Sequence, residues 1–236
     1  MVKIVLTPEW FIGKDIIIET FSLIVLVIFT FLAYRYYKLN KNRNILYLGS
    51  GFGLIAMAQL ATILTKLVLY YDIGPTAQIG QAIITSHIVN SVDFFYYAGF
   101  FFHRFLTLLG LYIIFRLPRD RKSFGDYAIV LYFILISAFL SREIFYLFHL
   151  TALFILILIV EKYSWVYRKN RFFNTKILIM AFSLLAISQM IFVLSTIDIL
   201  FVLGNLVELI SYSIFLALII RIWKYGKEKK PYGNNI

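Results

Sequence analysis

Positions 125–162 read GDYAIVLYFILISAFLSREIFYLFHLTALFILILIVEK, an apolar stretch whose charged residues are confined to its two ends and to Arg142-Glu143. Basic clusters flank it at 116–122 and 162–176. Short loops rich in lysine and arginine stay on the cytoplasmic side of a membrane, so the chain between the clusters should cross the bilayer an even number of times. The stretch therefore predicts two short helices joined by a tight turn at Ser141-Arg142-Glu143, rather than one long helix.

The rest of the chain has a similar composition. Hydrophobic residues make up 61% of the sequence and charged residues 15%, whereas about a quarter of the residues of a soluble domain are charged. A helix of about 20 apolar residues crosses the hydrocarbon core, and its backbone polar groups pair within the helix. We predict an all-α integral membrane protein, a single seven-helix domain over 1–236, with helices at about 16–37, 45–70, 90–116, 125–141, 143–162, 176–196 and 199–223.

The connections alternate in charge along the whole chain. Residues 71–92 and 195–204 contain no lysine or arginine, whereas the first connection and the C-terminal end are basic. This alternation predicts a multi-pass protein of the cell membrane with its N-terminus outside and its C-terminus in the cytoplasm. We interpret the net charge of +11 as contact with anionic lipid headgroups, so the expected partner is the bilayer and not nucleic acid.

An internal repeat relates the two ends of the chain. A shift of 130 positions aligns the second helix with the sixth, and a shift of 105 positions aligns the third with the seventh. Both triplets begin outside, which predicts a 3+1+3 parallel repeat with the fourth helix as the linker, a plan known among transporters. The aligned pairs include Tyr37 with Tyr167, Lys41 with Arg171, Phe52 with Phe182, Gln59 with Gln189, Gly99 with Gly204, and His103 with Glu208.

Polar residues inside the predicted spans define a candidate site, because such residues are costly in hydrocarbon and are functional candidates by default. We expect Arg104 to pair with Glu208, since an unpaired charge would not persist there. Three interpretations stay open: a pair that only fixes helix packing, a site for a small ligand or protons that opens to the outer face, or an Arg104 side chain that snorkels towards an interface. At 1.5 Å per residue, the residues near mid-membrane are Gln59, His103, Arg104, Gln189, Asn205 and Glu208.

Two further ionisable residues lie in the outer halves of their helices. Glu19 is near the outer end of the first helix, and its repeat equivalent, His149, is on the fifth. Lys66 could reach Glu19, but at that depth we expect both side chains to be solvated by snorkelling to water. The longest outer connection, residues 74–90, is a candidate lid over the site.

A family resemblance covers nearly the whole chain and is carried by the stretch Phe11 to Leu64. It starts with FIGKDII, has an aromatic and basic exit YRYYK at 34–38, and continues into the helix GFGLIAMAQL at 51–60. This resembles the seven-helix membrane sensor modules of archaea and bacteria that often precede histidine kinases. The resemblance implies a sensor or receptor-like role in signal transduction. Because the chain ends soon after its last predicted helix, we expect signalling to pass through a cytoplasmic or membrane partner.

The 3+1+3 plan also resembles that of SWEET-like sugar transporters and of microbial opsins. The signature residues of both groups are missing. No lysine occurs in 199–220, where opsins carry their Schiff base, and the residues before Gln59 and Gln189 are Ala58 and Ser188 rather than proline. The resemblance is limited to helix number and repeat order.

Several functions therefore stay open. The first is a sensor or adaptor module, and the second is a small-molecule or proton transporter. An auxiliary subunit of a larger membrane complex and a b-type haem protein with His103 and His149 as axial ligands are the others. We expect no enzyme, because the sequence has no HExxH or GxSxG motif. We expect no metal site either, and the absence of cysteine excludes thiolate ligands.

Overall fold

The computed structural model describes residues 8–41, 43–71, 84–116, 124–141, 144–195 and 198–228. Within these ranges the chain forms no strand, which confirms the all-helical prediction. A short 3-10 helix, Glu9–Phe11, precedes seven α-helices: α1 (Lys14–Asn40), α2 (Arg43–Tyr71), α3 (Ile84–Arg116), α4 (Phe124–Leu140), α5 (Phe145–Asn170), α6 (Phe173–Val193) and α7 (Asp198–Glu228).

Six of these helices are long and apolar enough to cross a membrane, namely all except α4. This confirms a membrane protein with several spanning helices. The remaining helix, α4, has 17 residues and is about 25 Å long at 1.5 Å per residue. It therefore lies at the lower limit of the 17–25 residues that span hydrocarbon.

Several helix ends extend beyond the predicted apolar runs, whereas the sixth helix ends at Val193 rather than at 196. The third helix begins at Ile84 rather than at 90, and the fifth ends at Asn170 rather than at 162. The physical reason is that hydropathy marks only the part of a helix that is embedded in lipid, whereas the hydrogen-bonded backbone continues into the polar border. Of the candidate lid, residues 84–90 form the first turns of α3, and residues 74–83 lie outside the described ranges.

Helices α1 and α5 end in the same way at positions that are equivalent in the repeat. Lys41 and Arg171 both adopt the left-handed conformation, with φ of 52° and 49°. The Lys41 N–H donates to the Tyr37 carbonyl at 2.8 Å, and the Arg171 N–H donates to the Tyr167 carbonyl at 2.7 Å. This bond satisfies a carbonyl that the helix end would leave unpaired.

The helices pack as a ring of six with α4 at its margin. Consecutive helices α1, α2 and α3 form one set of extensive contacts, and α5, α6 and α7 form another. Contacts between α3 and α5 and between α1 and α7 close the ring, while within the described ranges α4 packs mainly against α3 and α5. Each three-helix unit thus meets the other along two edges, and the space between them is enclosed by six helices.

The hydrophobic core on one side of that space includes a cluster of four phenylalanines, Phe29, Phe52, Phe182 and Phe215. The repeat-equivalent rings Phe52 and Phe182 stack with centroids 6.1 Å apart and an interplanar angle of 11°. Phe215 meets both of them edge-on, at 5.3 and 5.2 Å, and Phe29 packs on Phe52 at 4.3 Å. Edge-to-face and offset pairs of this kind add to the burial energy of the rings, so the cluster ties both units together.

Basic residues gather at one end of the bundle, where α1, α3, α5 and α7 finish and where α2 and α6 begin. We call this the basic end. Large apolar side chains such as Ile17, Phe31 and Phe154 are exposed around the bundle, as expected of a surface that faces lipid. The described basic residues at the basic end are Arg35, Lys38, Lys41, Arg43, Arg116, Lys162, Arg168, Lys169, Arg171, Lys176 and Arg221.

Candidate functional site

A cavity of about 180 Å³ lies inside the ring, lined by side chains from α1, α2, α3, α5, α6 and α7. Among the described residues that line it, none comes from α4. The polar residues that hydropathy singled out on separate helices therefore converge on one space. All eight line it: Glu19, Gln59, His103, Arg104, His149, Gln189, Asn205 and Glu208.

A buried ionic cluster of Asp15, Glu19 and Lys66 stands at the edge of the cavity that is remote from the basic end. The Lys66 ammonium lies 2.7 Å from Asp15 Oδ2 and 2.5 Å from Glu19 Oε1. Asp15 is fully buried and Lys66 is 8% exposed. The expectation that Lys66 and Glu19 would be solvated was therefore wrong, because Asp15, one helical turn before Glu19, completes a charge cluster inside the protein.

Asp15 also organises the start of α1. Its Oδ1 accepts hydrogen bonds from the backbone N–H groups of Gly13 and Ile16, each at 3.0 Å. These donors belong to the first turn, whose N–H groups have no partner within the helix. The same carboxylate thus fixes the helix end with one oxygen and holds Lys66 with the other.

The predicted Arg104–Glu208 ion pair is not formed. Both residues line the cavity, but the described ion pairs involve only Lys66 with its two carboxylates. The Arg104 guanidinium lies over the Phe100 ring, 5.9 Å from its centroid. Glu208 and Tyr212, four residues apart on α7, line the cavity together with Gln59 of α2.

The two cavity histidines are held by uncharged partners. His103 Nδ1 donates to the Ala58 carbonyl at 3.2 Å, and His149 Nδ1 lies 2.7 Å from the Gln189 side-chain oxygen. The Phe148 ring packs against both imidazoles, with centroids 5.7 and 4.9 Å away. Haem ligation by these two residues stays a prediction.

Two polar atoms in the cavity wall lack a hydrogen-bond partner among the described residues. They are Glu19 Oε2, an acceptor, and Thr107 Oγ1, which can donate or accept; both are buried. Buried polar groups are nearly always hydrogen-bonded, because leaving one unsatisfied costs about 1–3 kcal/mol. These atoms therefore mark where a water or a ligand would be bound inside the cavity.

Residues at equivalent positions of the two units line the cavity. Each unit contributes through its first, second and third helix, and most lining residues fall into pairs at the shifts of 130 and 105. The two members of a pair can differ in chemistry, because a carboxylate in one unit occupies the position of an imidazole in the other. They include Glu19 with His149, Ile55 with Leu185, Gln59 with Gln189, His103 with Glu208, and Thr107 with Tyr212.

Three contributors to the site were missed from the sequence: Asp15, Thr107 and Tyr212. A signal for each was available, because Asp15 precedes Glu19 by four residues, Thr107 follows His103 by four and Tyr212 follows Glu208 by four. Residues four apart share one face of a helix. Lys66 was identified from the sequence, but its burial depends on neighbouring helices and was not predicted.

Comparison of the chain with family models, with curated proteins and with solved structures gave no match.

Proposed function

We propose that this protein is a receptor-like sensor of the membrane that binds a small polar ligand in the cavity between its two three-helix units. The observation that carries the proposal is the convergence of eight polar side chains from six helices on one cavity. Placing such side chains in hydrocarbon is costly, and two polar atoms in the cavity wall lack partners among the described residues. A cavity of this kind is the default place for a ligand.

The architecture that we propose is a 3+1+3 parallel repeat with the N-terminus outside and the C-terminus in the cytoplasm. Two observations favour it. The helix contacts fall into two sets of three with α4 at the margin, and the described basic residues gather at one end of the bundle. In that orientation the ionic cluster faces the outer side of the cell membrane, and the basic end faces the cytoplasm.

The signal in this proposal is a change in how the two units pack. A ligand in the cavity contacts both units at once, since each unit supplies half of the wall. It favours whichever packing gives it better contacts, and an equilibrium shifts only by that difference in affinity. The basic end then presents the change to a partner protein in the cytoplasm or membrane, as the resemblance to sensor modules implies.

The test measures the distance between the units. The chain has no cysteine, so spin labels can be placed at Leu39→Cys and Lys169→Cys, which are exposed, repeat-equivalent positions near the basic end. Protein in nanodiscs is screened for thermal stabilisation by small amines, carboxylates, alcohols and sugars. We expect a stabilising solute to shift the distance distribution, and to do so less in a Glu208→Gln background. A bound solute that leaves the distances unchanged would rule out the sensor role.

A second candidate is a transporter of small molecules or protons, favoured by the equivalent pairs that line the cavity. Transporters built from parallel repeats place their sites between the repeats. The same solutes would then cross the membrane of liposomes that contain the protein, and flux would require Glu208. A solute that shifts the spin-label distances without any flux favours the sensor over the transporter.

A further inference from the structure

A groove of about 420 Å³ runs between α1 and α2 on the outside of the ring. It shares no lining residue with the central cavity. Three of its wall residues, Val27, Phe31 and Met57, are each more than half exposed, which places the groove on the surface that faces lipid. Residues from 53 to 60 of α2 form one wall, and the other consists of Leu23, Val27, Thr30, Phe31 and Tyr34 of α1.

The groove is open because the wall on α2 contains small residues. Gly53 has no side chain, and Ala56 has only a methyl group. On α1, the Thr30 hydroxyl donates to the backbone carbonyls of Leu26 and Gly49, at 2.8 and 3.3 Å. The hydroxyl is therefore satisfied within the protein, and the groove presents mainly hydrocarbon to its occupant.

The dimensions of the groove match those of one acyl chain. Leu23 and Tyr34, at its two ends on α1, are eleven residues apart and thus about 16 Å apart along the helix. One leaflet of the hydrocarbon core is about 15 Å thick, half of the whole core. The volume is nearly three times that of a cavity of about 150 Å³ that holds benzene, which gives room for roughly 15 carbon atoms.

The end of the groove that is nearer the basic end is positively charged. The Lys38 ammonium lies over the ring of Tyr34, 5.3 Å from its centroid, and Tyr34 lines the groove. Arg35 follows Tyr34 directly, and both cations are exposed. No aspartate or glutamate occurs from position 20 to position 71. An anionic phosphate complements such a surface, since basic pockets between membrane helices bind anionic headgroups.

The corresponding surface of the second unit has different chemistry. At the shift of 130 positions, Phe31 is matched by Glu161 and Gly53 by Ser183. A carboxylate at the equivalent of the groove wall would repel a phosphate, and a serine fills space that a glycine leaves open. The second unit therefore supplies matched controls for the first.

We propose that the groove between α1 and α2 binds one phospholipid with an anionic headgroup. One of its acyl chains lies between the two helices, and its phosphate is held by Arg35 and Lys38. This site lies outside the central cavity and uses other residues, so it goes beyond the proposed function and can fail or succeed independently of it.

The experiment titrates the delipidated, full-length protein in detergent with phosphatidylglycerol and with phosphatidylcholine of the same acyl chains. Native mass spectrometry counts the lipids bound to each protein molecule. We expect the first phosphatidylglycerol to bind at least about tenfold more tightly than phosphatidylcholine, because each basic residue near the headgroup contributes about fivefold in affinity.

The first pair of variants tests the headgroup contact. Removing both cations, Arg35→Gln with Lys38→Gln, should weaken phosphatidylglycerol binding about 10- to 30-fold and leave phosphatidylcholine binding unchanged. The control is Arg168→Gln with Lys169→Gln, which removes two exposed cations at the end of α5. It should keep the tight first phosphatidylglycerol. All four positions are exposed, so these variants test the site without changing the core.

The second pair tests the acyl chain. Val27→Trp fills the groove and should weaken both lipids about 3- to 10-fold, because the indole excludes the chain from its van der Waals contacts. Ile157→Trp is the control, since Ile157 is the repeat equivalent of Val27 and both residues are 51% exposed. It should bind both lipids like the unsubstituted protein.

Three results would overturn the inference. The first is equal affinity of the unsubstituted protein for the two lipids. The second is an equal loss in a variant and its control, which would mean that lipid binds all around the bundle. The third is a protein dimer that Val27→Trp abolishes, because a second copy of the chain would then occupy the groove.

Discussion

The two three-helix units occupy equivalent positions with different chemistry. In α1–α3 the start of the first helix is held by charges, with Lys66 between Asp15 and Glu19. In α5–α7 the positions equivalent to the two acids are Phe145 and His149, and the imidazole is held by a neutral glutamine. One unit is therefore stabilised by a buried ionic cluster and the other by aromatic packing and neutral hydrogen bonds.

The units also differ in how closely their helices approach. Glycines of α2 and α3 meet directly, because a Cβ added at Gly110 would stand 2.6 Å from the Gly51 carbonyl oxygen. The equivalent residues of the second unit are Ala181 and Phe215, which are both larger than glycine. Small residues allow close backbone packing in membranes, so the contact between α2 and α3 is the tighter one at this position.

The largest effect should come from removing the cation of the first unit. Lys66→Met removes the ammonium that bonds to both Asp15 and Glu19, and breaking a buried ion pair in this way typically costs about 3–5 kcal/mol. Unfolding of the purified protein by titration with a denaturing detergent measures the change. Glu19→Gln added to Lys66→Met should restore part of the loss, because it removes one of the two buried carboxylate charges.

The control for that variant is Lys169→Met, at an exposed position, where the change in unfolding free energy should stay within about 0.5 kcal/mol. Equal losses in Lys66→Met and Lys169→Met would mean that the ionic cluster does not stabilise the first unit.

An intermediate effect should follow from widening the α2–α3 contact. A methyl group at Gly110 would meet the Gly51 backbone oxygen and the Ile55 side chain at 2.6 and 2.7 Å. Because a backbone oxygen moves only if its helix moves, we expect Gly110→Ala to cost about 1–3 kcal/mol, as overpacking does. Thermal unfolding in nanodiscs provides the measurement.

Gly53→Ala is the matched control, since its Cβ would meet only the Thr30 side chain, at 3.2 Å or more. It should be neutral or slightly stabilising, because alanine favours helix by up to about 1 kcal/mol over glycine. If Gly110→Ala is equally harmless, the contact between α2 and α3 is not the tighter one.

The smallest effects are expected from the same substitution, glutamine to leucine, at the equivalent positions 59 and 189. Gln189→Leu removes only the partner of His149, so we expect it to cost about 0.6 kcal/mol, the average for a hydrogen bond between membrane helices. Gln59→Leu should cost about 1–2 kcal/mol, because Gln59 is buried and lines the cavity with Glu208 and Tyr212, whose polar groups would then face an apolar side chain. Equilibrium unfolding of both variants measures the two losses of free energy. A larger loss in Gln189→Leu than in Gln59→Leu would contradict the chemical difference between the two units.

The sequence by itself determined the helical class, the membrane environment and the polar residues that meet in the cavity. Each depends on local composition: long apolar runs must be helical in lipid, and side chains that are costly there stand out against them. A break between the fourth and fifth helices was predicted from the charges on either side of them, and the structure has α4 and α5 as separate helices. The shift of 130 positions identified pairs such as Phe52 and Phe182, which stack on each other.

Only the tertiary structure decided which charges are partners and which helices enclose the cavity. In a membrane the faces of a helix toward lipid and toward protein are both apolar, so hydropathy does not reveal how a helix is rotated about its axis. The rotation of α1 and α2 brings Lys66 to Asp15 and Glu19, while that of α3 turns Arg104 over Phe100. The exclusion of α4 from the ring likewise depends on contacts between helices far apart in the chain.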